Sequence, residues 1–139
     1  MKIDSIQNGI VIDHIAAGRG MQLYKLLQLD KLECSVAIIK NVTSHKMGKK
    51  DIIKVADKID IDMDVIGYVD PNATVNIIRD GELVDKKQID LPEQLINVVM
   101  CKNPRCISST EQELPHVFNL TDRANRVYRC RYCETKAEG

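Results

Sequence analysis

The chain has 139 residues with 20 basic and 20 acidic side chains, so its formal net charge is zero. That length suits one ordinary domain or one domain plus a small module, and the balanced charge is unlike the basic footprint of a general nucleic-acid binder. No apolar run approaches a membrane span, and Met1-Lys2-Ile3-Asp4 has no signal-peptide apolar region, so the expected location is the cytoplasm.

Gly9-Ile10-Val11-Ile12-Asp13-His14-Ile15 is rich in β-branched residues and predicts a strand. Leu23, Leu26 and Leu27 follow at helical spacing and predict a helix over roughly 20–29. Residues 35–39 form an apolar run of strand length. Ile52, Val55, Ala56 and Ile59 fall at i, i+3, i+4 and i+7, one face of a second helix. Residues 65–69 predict a third strand, ended by the turn sequence Asp70-Pro71-Asn72. Residues 73–79 and 82–88 then flank Asp80-Gly81, which suits a type I′ hairpin turn because both central residues need positive φ. Strand, helix, strand, helix and three more strands predict an α+β fold: a ferredoxin-like two-layer α/β sandwich.

Cysteine usage divides the chain. Residues 1–92 contain only Cys34, which its apolar strand marks as a small buried hydrophobe. The other four cysteines lie in 93–139, beyond the punctuating Leu91-Pro92-Glu93. There, 92–97 predict a short helix, and 118–120 and 127–128 short strands. So few large apolar side chains cannot build an independent core.

Cys101 and Cys106 form C-x4-C, Cys130 and Cys133 form C-x2-C, and 23 residues separate the pairs. Two tight pairs present four thiolates to one tetrahedral site, which suits one structural zinc ion with no open position for substrate. The metal then supplies the folding free energy that the core lacks. Two local disulfides or four unrelated thiols are the alternatives, disfavoured by a cytosolic setting with this spacing, and an iron–sulfur cluster is less expected than zinc. This second part reads as a small β-rich, zinc-ribbon-like domain. Its seven basic and six acidic residues, with the −2 charge of a zinc tetrathiolate, leave it slightly negative. Arg123, Arg126, Arg129 and Arg131 could still form a local patch, better suited to a solvated face or a protein interface than to nucleic acid.

No Walker loop or G-x-G-x-x-G is present, and Gly18-Arg19-Gly20 reads as a turn into a helix. Asp13, His14, Lys54, Asn76 and Lys86 are polar residues in or beside apolar segments, and each alone is compatible with a surface role. His14, His45 and His116 are scattered and no nucleophile–base motif occurs, so the chain is not expected to be an enzyme.

Residues 11–15 (VIDHI), 47–54 (MGKKDIIK), 73–76 (ATVN), 91–93 (LPE), 101–108 (CKNPRCIS) and 130–134 (CRYCE) occur in one order. That series, covering nearly the whole chain, resembles the regulatory chain of aspartate carbamoyltransferase, which is non-catalytic and serves pyrimidine biosynthesis. The resemblance implies an allosteric nucleotide-binding domain over 1–92 and a zinc domain over 93–139 that contacts the catalytic chain. It implies ATP as activator and CTP as inhibitor, with UTP assisting CTP in some members. It also implies pairing of two regulatory chains, with no nucleic-acid or membrane partner.

By position, the resemblance puts Asp13 on the ribose with Lys54 close to it, and Lys86 and His14 on the triphosphate with Asn76 nearby. Ile6, Ile78 and Leu83 border the base, Ile3 and Asp4 line the N-terminal edge, and Lys50 reaches toward a second nucleotide. A hydrophobic seam between the domains, formed by Leu95, Ile96, Val98 and Val99, is the expected route for the signal. An ideal Asp80-Gly81 turn sets Asn76 opposite Asp85, so Lys86 can share the face of Asn76 only with a bulge or with a phosphate wrapping the sheet edge. The rival from another class is a stand-alone zinc-ribbon regulator of nucleic acid or nucleotide, which needs a basic, aromatic-bearing face near Phe118, Tyr128 and Tyr132.

Overall fold

A computed structural model describes residues 7–57 and 59–137; Ile3, Asp4 and Ile6 lie outside them. The chain divides into two compact units, 1–90 and 91–139. The first unit runs β1 (Gly9–Ala16), α1 (Gly20–Leu26), β2 (Val36–Ser44), β3 (Gly48–Val55), α2 (Met63–Val69), β4 (Thr74–Arg79) and β5 (Glu82–Gln88). Its five strands lie in the order β2-β3-β1-β4-β5, and every neighbouring pair is antiparallel.

Two elements exchange type relative to the sequence expectation. Residues 48–55, where Ile52 and Val55 predict a helix, form strand β3. The same residues also satisfy a period of two: Asp51, Ile53 and Val55 are buried while Ile52 and Lys54 are half-buried on the other face. Pairing with both β1 and β2 decides between the two periods. Residues 65–69, where a strand is predicted, form α2. Its overlooked signal is the cap: the Asp62 carboxylate accepts the Asp64 N–H at 3.0 Å. With that exchange the chain follows the β-α-β-β-α-β order of the ferredoxin-like plan, with β5 added.

Helix α1 packs on β2, β3 and α2, and stops at Leu26, short of the predicted 29, where Gln28 turns to φ 56°. The core between the layers is built from Ile10, Ile12, Ile15, Leu23, Ile53, Val55, Ile66, Val69 and Val75. Asp51 is fully buried within it. Its carboxylate accepts backbone N–H bonds from Gly18, Gly20 and Asn41 at 3.0–3.1 Å, tying β3 to the start of α1 and to β2. Gly20 has no room for a side chain, because a Cβ there would stand 2.8 Å from Asp51 Oδ2.

The second unit contains β6 (Gln94–Ile96), a one-turn helix α3 (Ile107–Thr110), β7 (Val117–Asp122) and β8 (Val127–Cys130), with sheet order β6-β7-β8. The helix expected over 92–97 is strand β6, because Leu95 pairs with Phe118 and is buried as a strand residue. Phe118 in turn opposes Cys130, so one row of the small sheet runs from the apolar core into the cysteines. Leu95, Val117, Phe118 and Tyr128 make nearly all of the aliphatic and aromatic interior. Among the described residues, no helix is long and apolar enough to cross a membrane.

Candidate functional site: a four-cysteine centre and a polar sheet face

Cys101, Cys106, Cys130 and Cys133 converge, with all four Sγ atoms within 4.8 Å of one another. Cys101 Sγ lies 3.6 Å from Cys133 Sγ, and Cys106 Sγ lies 3.6 Å from Cys130 Sγ, so the two sequence pairs interleave. A disulfide requires about 2.05 Å, whereas the edge of a zinc tetrathiolate tetrahedron with about 2.3 Å bonds is about 3.8 Å. The spacing therefore fits a closed four-sulfur metal site and excludes disulfides.

Backbone turns hold the two knuckles. Cys106 N–H donates to Asn103 O at 3.1 Å, and Cys130 N–H donates to Thr135 O at 2.9 Å. Cys101 N–H donates to Nδ1 of His116 at 3.1 Å, which orients that histidine as a support and not as a ligand.

The metal-free thiols are unequal. Burial pushes the Cys101 thiol up to about 12. The Thr135 hydroxyl draws the Cys133 thiol down to about 6 against its burial. Burial of Cys106 is outweighed by Ser108 and by Cys130, and its thiol is lowered. A cluster with one thiol at about 12 does not reach four thiolates at neutral pH without a cation. Metal affinity should therefore fall as pH falls, by about tenfold per unit near neutrality for the Cys101 proton alone, and more steeply below about pH 6 as Cys133 also protonates. Competition titration with a chelator of known pH dependence measures this slope.

The second candidate region is the face of the large sheet opposite α1 and α2. Val11 opposes Lys54 on β3 and Asn76 on β4, and Asn76 opposes Lys86 on β5. Directly opposed residues project to one face, so Lys54, Val11, Asn76 and Lys86 form a single row. One row away, Gly9, Ile78 and Leu83 are aligned; on the other side stand Asp13, Thr74 and Gln88. From the apolar row to the acidic row is roughly 14 Å along the strands.

Two bulges create this arrangement. In β4–β5 the register shifts so that Ile77 opposes Asp85 while Ile78 opposes Leu83, leaving Val84 as the extra residue. That bulge is what brings Lys86 onto the face of Asn76. In β1 the register shifts between Ile12 and Ile15, and His14 adopts φ 58°. Ile15 thus stays in the core while His14 Nδ1 reaches Thr74 Oγ1 at 3.1 Å. The hairpin turn has φ 53° at Asp80 and 78° at Gly81, the positive pair that the sequence called for.

The face carries more cationic capacity than it uses. The ion pair at Asp13 is with Lys50, at 2.9 Å, while Lys54 sits one row along. Burial works against the Asp13 carboxylate, but Lys50 and the His14 N–H outweigh it and hold its pKa below the ordinary value. Among the described residues Lys54 and Lys86 have no ion-pair partner. Asn76 Oδ1 is buried and accepts no hydrogen bond. An orphaned buried acceptor, with one uncommitted ammonium group beside it and a second further along the same row, is costly unless a ligand covers it.

A cavity of about 450 Å³ in the first unit is centred away from this row of lysines, lined by Ile10, Val75, Ile77 and Lys87 from the helix-bearing side and by Ile59 and Met63, and it reaches Gly9 and Ile78 at the end of the apolar row. The polar face is an open surface rather than a cleft, so its candidacy rests on the rows and the orphaned acceptor. Thr74 is the addition here, and Lys50 is paired with Asp13. Thr74 was legible as the polar neighbour two residues before Asn76 on the same strand. In the second unit, Arg123 is committed to Leu91 O and the Glu93 carboxylate, and Arg129 to Glu134 O. Two of the four arginines of the suspected patch are thereby tied to the chain itself.

Residues 1–90 match the family model of the aspartate carbamoyltransferase regulatory chain, allosteric domain, and 93–139 match that of its metal binding domain. A regulatory chain from Clostridium tetani is 50% identical over 135 residues, covering 96% of this chain and 94% of that protein. One from Clostridium acetobutylicum is 45% identical over 139 residues, covering 100% and 95%. One from Bifidobacterium longum is 43% identical over 138 residues, covering 99% of each. With allosteric and metal-binding parts both matched, this chain belongs to the aspartate carbamoyltransferase regulatory chain family, whose members are regulatory and not catalytic.

Proposed function

We propose that the polar sheet face binds ATP and CTP, and that the chain passes the resulting signal to a catalytic chain of aspartate carbamoyltransferase through a zinc-holding second unit. The observation that carries the reading is the orphaned Asn76 acceptor in line with unpaired Lys54 and Lys86. The base suits the apolar row of Ile78 and Leu83. The phosphates suit Lys86 and the His14–Thr74 corner, where lysine acts as a point charge, and Lys54 stands with Asp13 for the ribose. Asp13, ionised and half-buried, is a suitable acceptor for ribose hydroxyls. Ile3, Asp4 and Ile6 complete the N-terminal edge of the site by resemblance, and UTP is a third candidate effector beside Lys50.

Zinc is the metal that four thiolates in a closed tetrahedron suit best. Bound there, it supplies folding free energy and no chemistry of its own. In this reading the chain works in the cytoplasm and pairs with a second copy through its first unit. Among the described residues β2, nine residues long, pairs on one side only and offers its other edge for hydrogen bonding, whereas the other edge strand, β5, is fully exposed and blunted by charged side chains.

A nucleotide shifts the complex only if it binds two quaternary states unequally, and such coupling is typically about 1–3 kcal/mol. The test is a purified complex with a catalytic chain, assayed for half-saturating aspartate with ATP, with CTP and with neither. Opposite shifts for the two nucleotides are expected. Saturating nucleotide with no shift in either direction would overturn the allosteric reading.

A further inference from the structure

Two hydroxyl groups sit on the metal centre, one in each knuckle. Ser108, on α3 and 3% exposed, places Oγ 3.0 Å from Cys106 Sγ. Thr135, held by the bond from Cys130 N–H to its carbonyl, places Oγ1 3.1 Å from Cys133 Sγ. A metal-bound thiolate has no proton to give, so in the loaded centre both hydroxyls donate to sulfur. The placement is selective. Cys133 is the one ligand that is not buried, and so the first sulfur that a reagent or competing chelator reaches. Ser109, next to Ser108, bonds instead to the carbonyls of Cys101 and Asn103, at 3.2 and 2.8 Å, and so braces the loop without touching sulfur.

We propose that Ser108 and Thr135 are positioning residues of the metal centre, whose donated hydrogen bonds draw electron density from the Cys106 and Cys133 thiolates and make the bound metal slow to leave. A hydrogen-bonded thiolate is a poorer nucleophile and is fixed in orientation. Partners of this outer kind are worth about 10–100-fold in metal affinity. The proposal rests on the metal reading of the four cysteines.

The experiment uses the full chain, with metal content measured first. Zinc transfer to an excess of a chromophoric chelator should accelerate about tenfold in Ser108→Ala and in Thr135→Val. Thr135→Ser should retain the native rate. In cobalt-substituted protein the sulfur-to-metal charge-transfer band should move in Ser108→Ala and Thr135→Val, but not in Ser109→Ala. Thr135→Val keeps the side-chain shape, so it isolates the hydroxyl from the fold. Native transfer rates with an unmoved band would overturn the proposal, as would Ser109→Ala matching the other two in both readouts. A chain that purifies with its four thiols free and takes up no zinc would defeat the metal reading itself, and this proposal with it.

Discussion

Cys130→Ser should leave the full chain without bound metal and with its second unit unfolded, while the first unit keeps its fold. Cys130 ends β8, is 2% exposed, and opposes Phe118, which opposes Leu95. The same residue is thus one of the four clustered cysteines and the end of an apolar row in that unit. A structural zinc site contributes about 10–16 kcal/mol, against about 5–15 kcal/mol of net stability for an ordinary domain. A unit with so small an interior has no reserve to replace that term. Metal analysis should fall to background, and amide exchange across 94–130 should lose its protection while β1, β3 and β4 remain protected. Retained protection in β7 and β8 without metal would show that the small core suffices by itself.

The second large effect is expected at the polar sheet face. Lys54→Ala combined with Lys86→Ala should weaken ATP and CTP binding by at least about 100-fold, because each charge-assisted bond contributes about 1.5–3 kcal/mol. The two side chains stand three strands apart in one row and need not touch each other, so their effects should be close to additive. Neither ammonium is in an ion pair, so stability and metal content should be unchanged. Calorimetric titration of the full chain measures the change. Unaltered affinity would move the nucleotide away from this face, with the cavity beside Ile10, Val75 and Lys87 as the next place to look.

The metal centre was legible in the sequence because its geometry is local: each knuckle is one turn, and its spacing survives any error in the surrounding elements. The polar face was not, because its rows take residues from β1, β3, β4 and β5 and exist only once register is fixed. Lys54 illustrates the point. Placed on a helix, it has no relation to Asn76; placed on β3 opposite Val11, it lies two strands away in the same row. The exchange of β3 and α2 has a common cause, since both are eight residues or fewer and apolar enough to satisfy either period.

The register conflict in the hairpin was a useful signal. An Asp-Gly turn alone would have put Lys86 on the helix side, and the extra residue at Val84 reverses that. The bulge at Asp13–His14 left a trace too: core residues Ile10, Ile12 and Ile15 break the two-residue spacing at the point where the extra residue enters.

The most direct test of the account is co-purification with a catalytic chain of aspartate carbamoyltransferase, with and without a zinc chelator, read by sizing and metal content. A large complex with one zinc per regulatory chain is expected, which dissociates when the metal is removed and re-forms when zinc is restored. A chain that holds its zinc yet stays apart from the catalytic chain would contradict it.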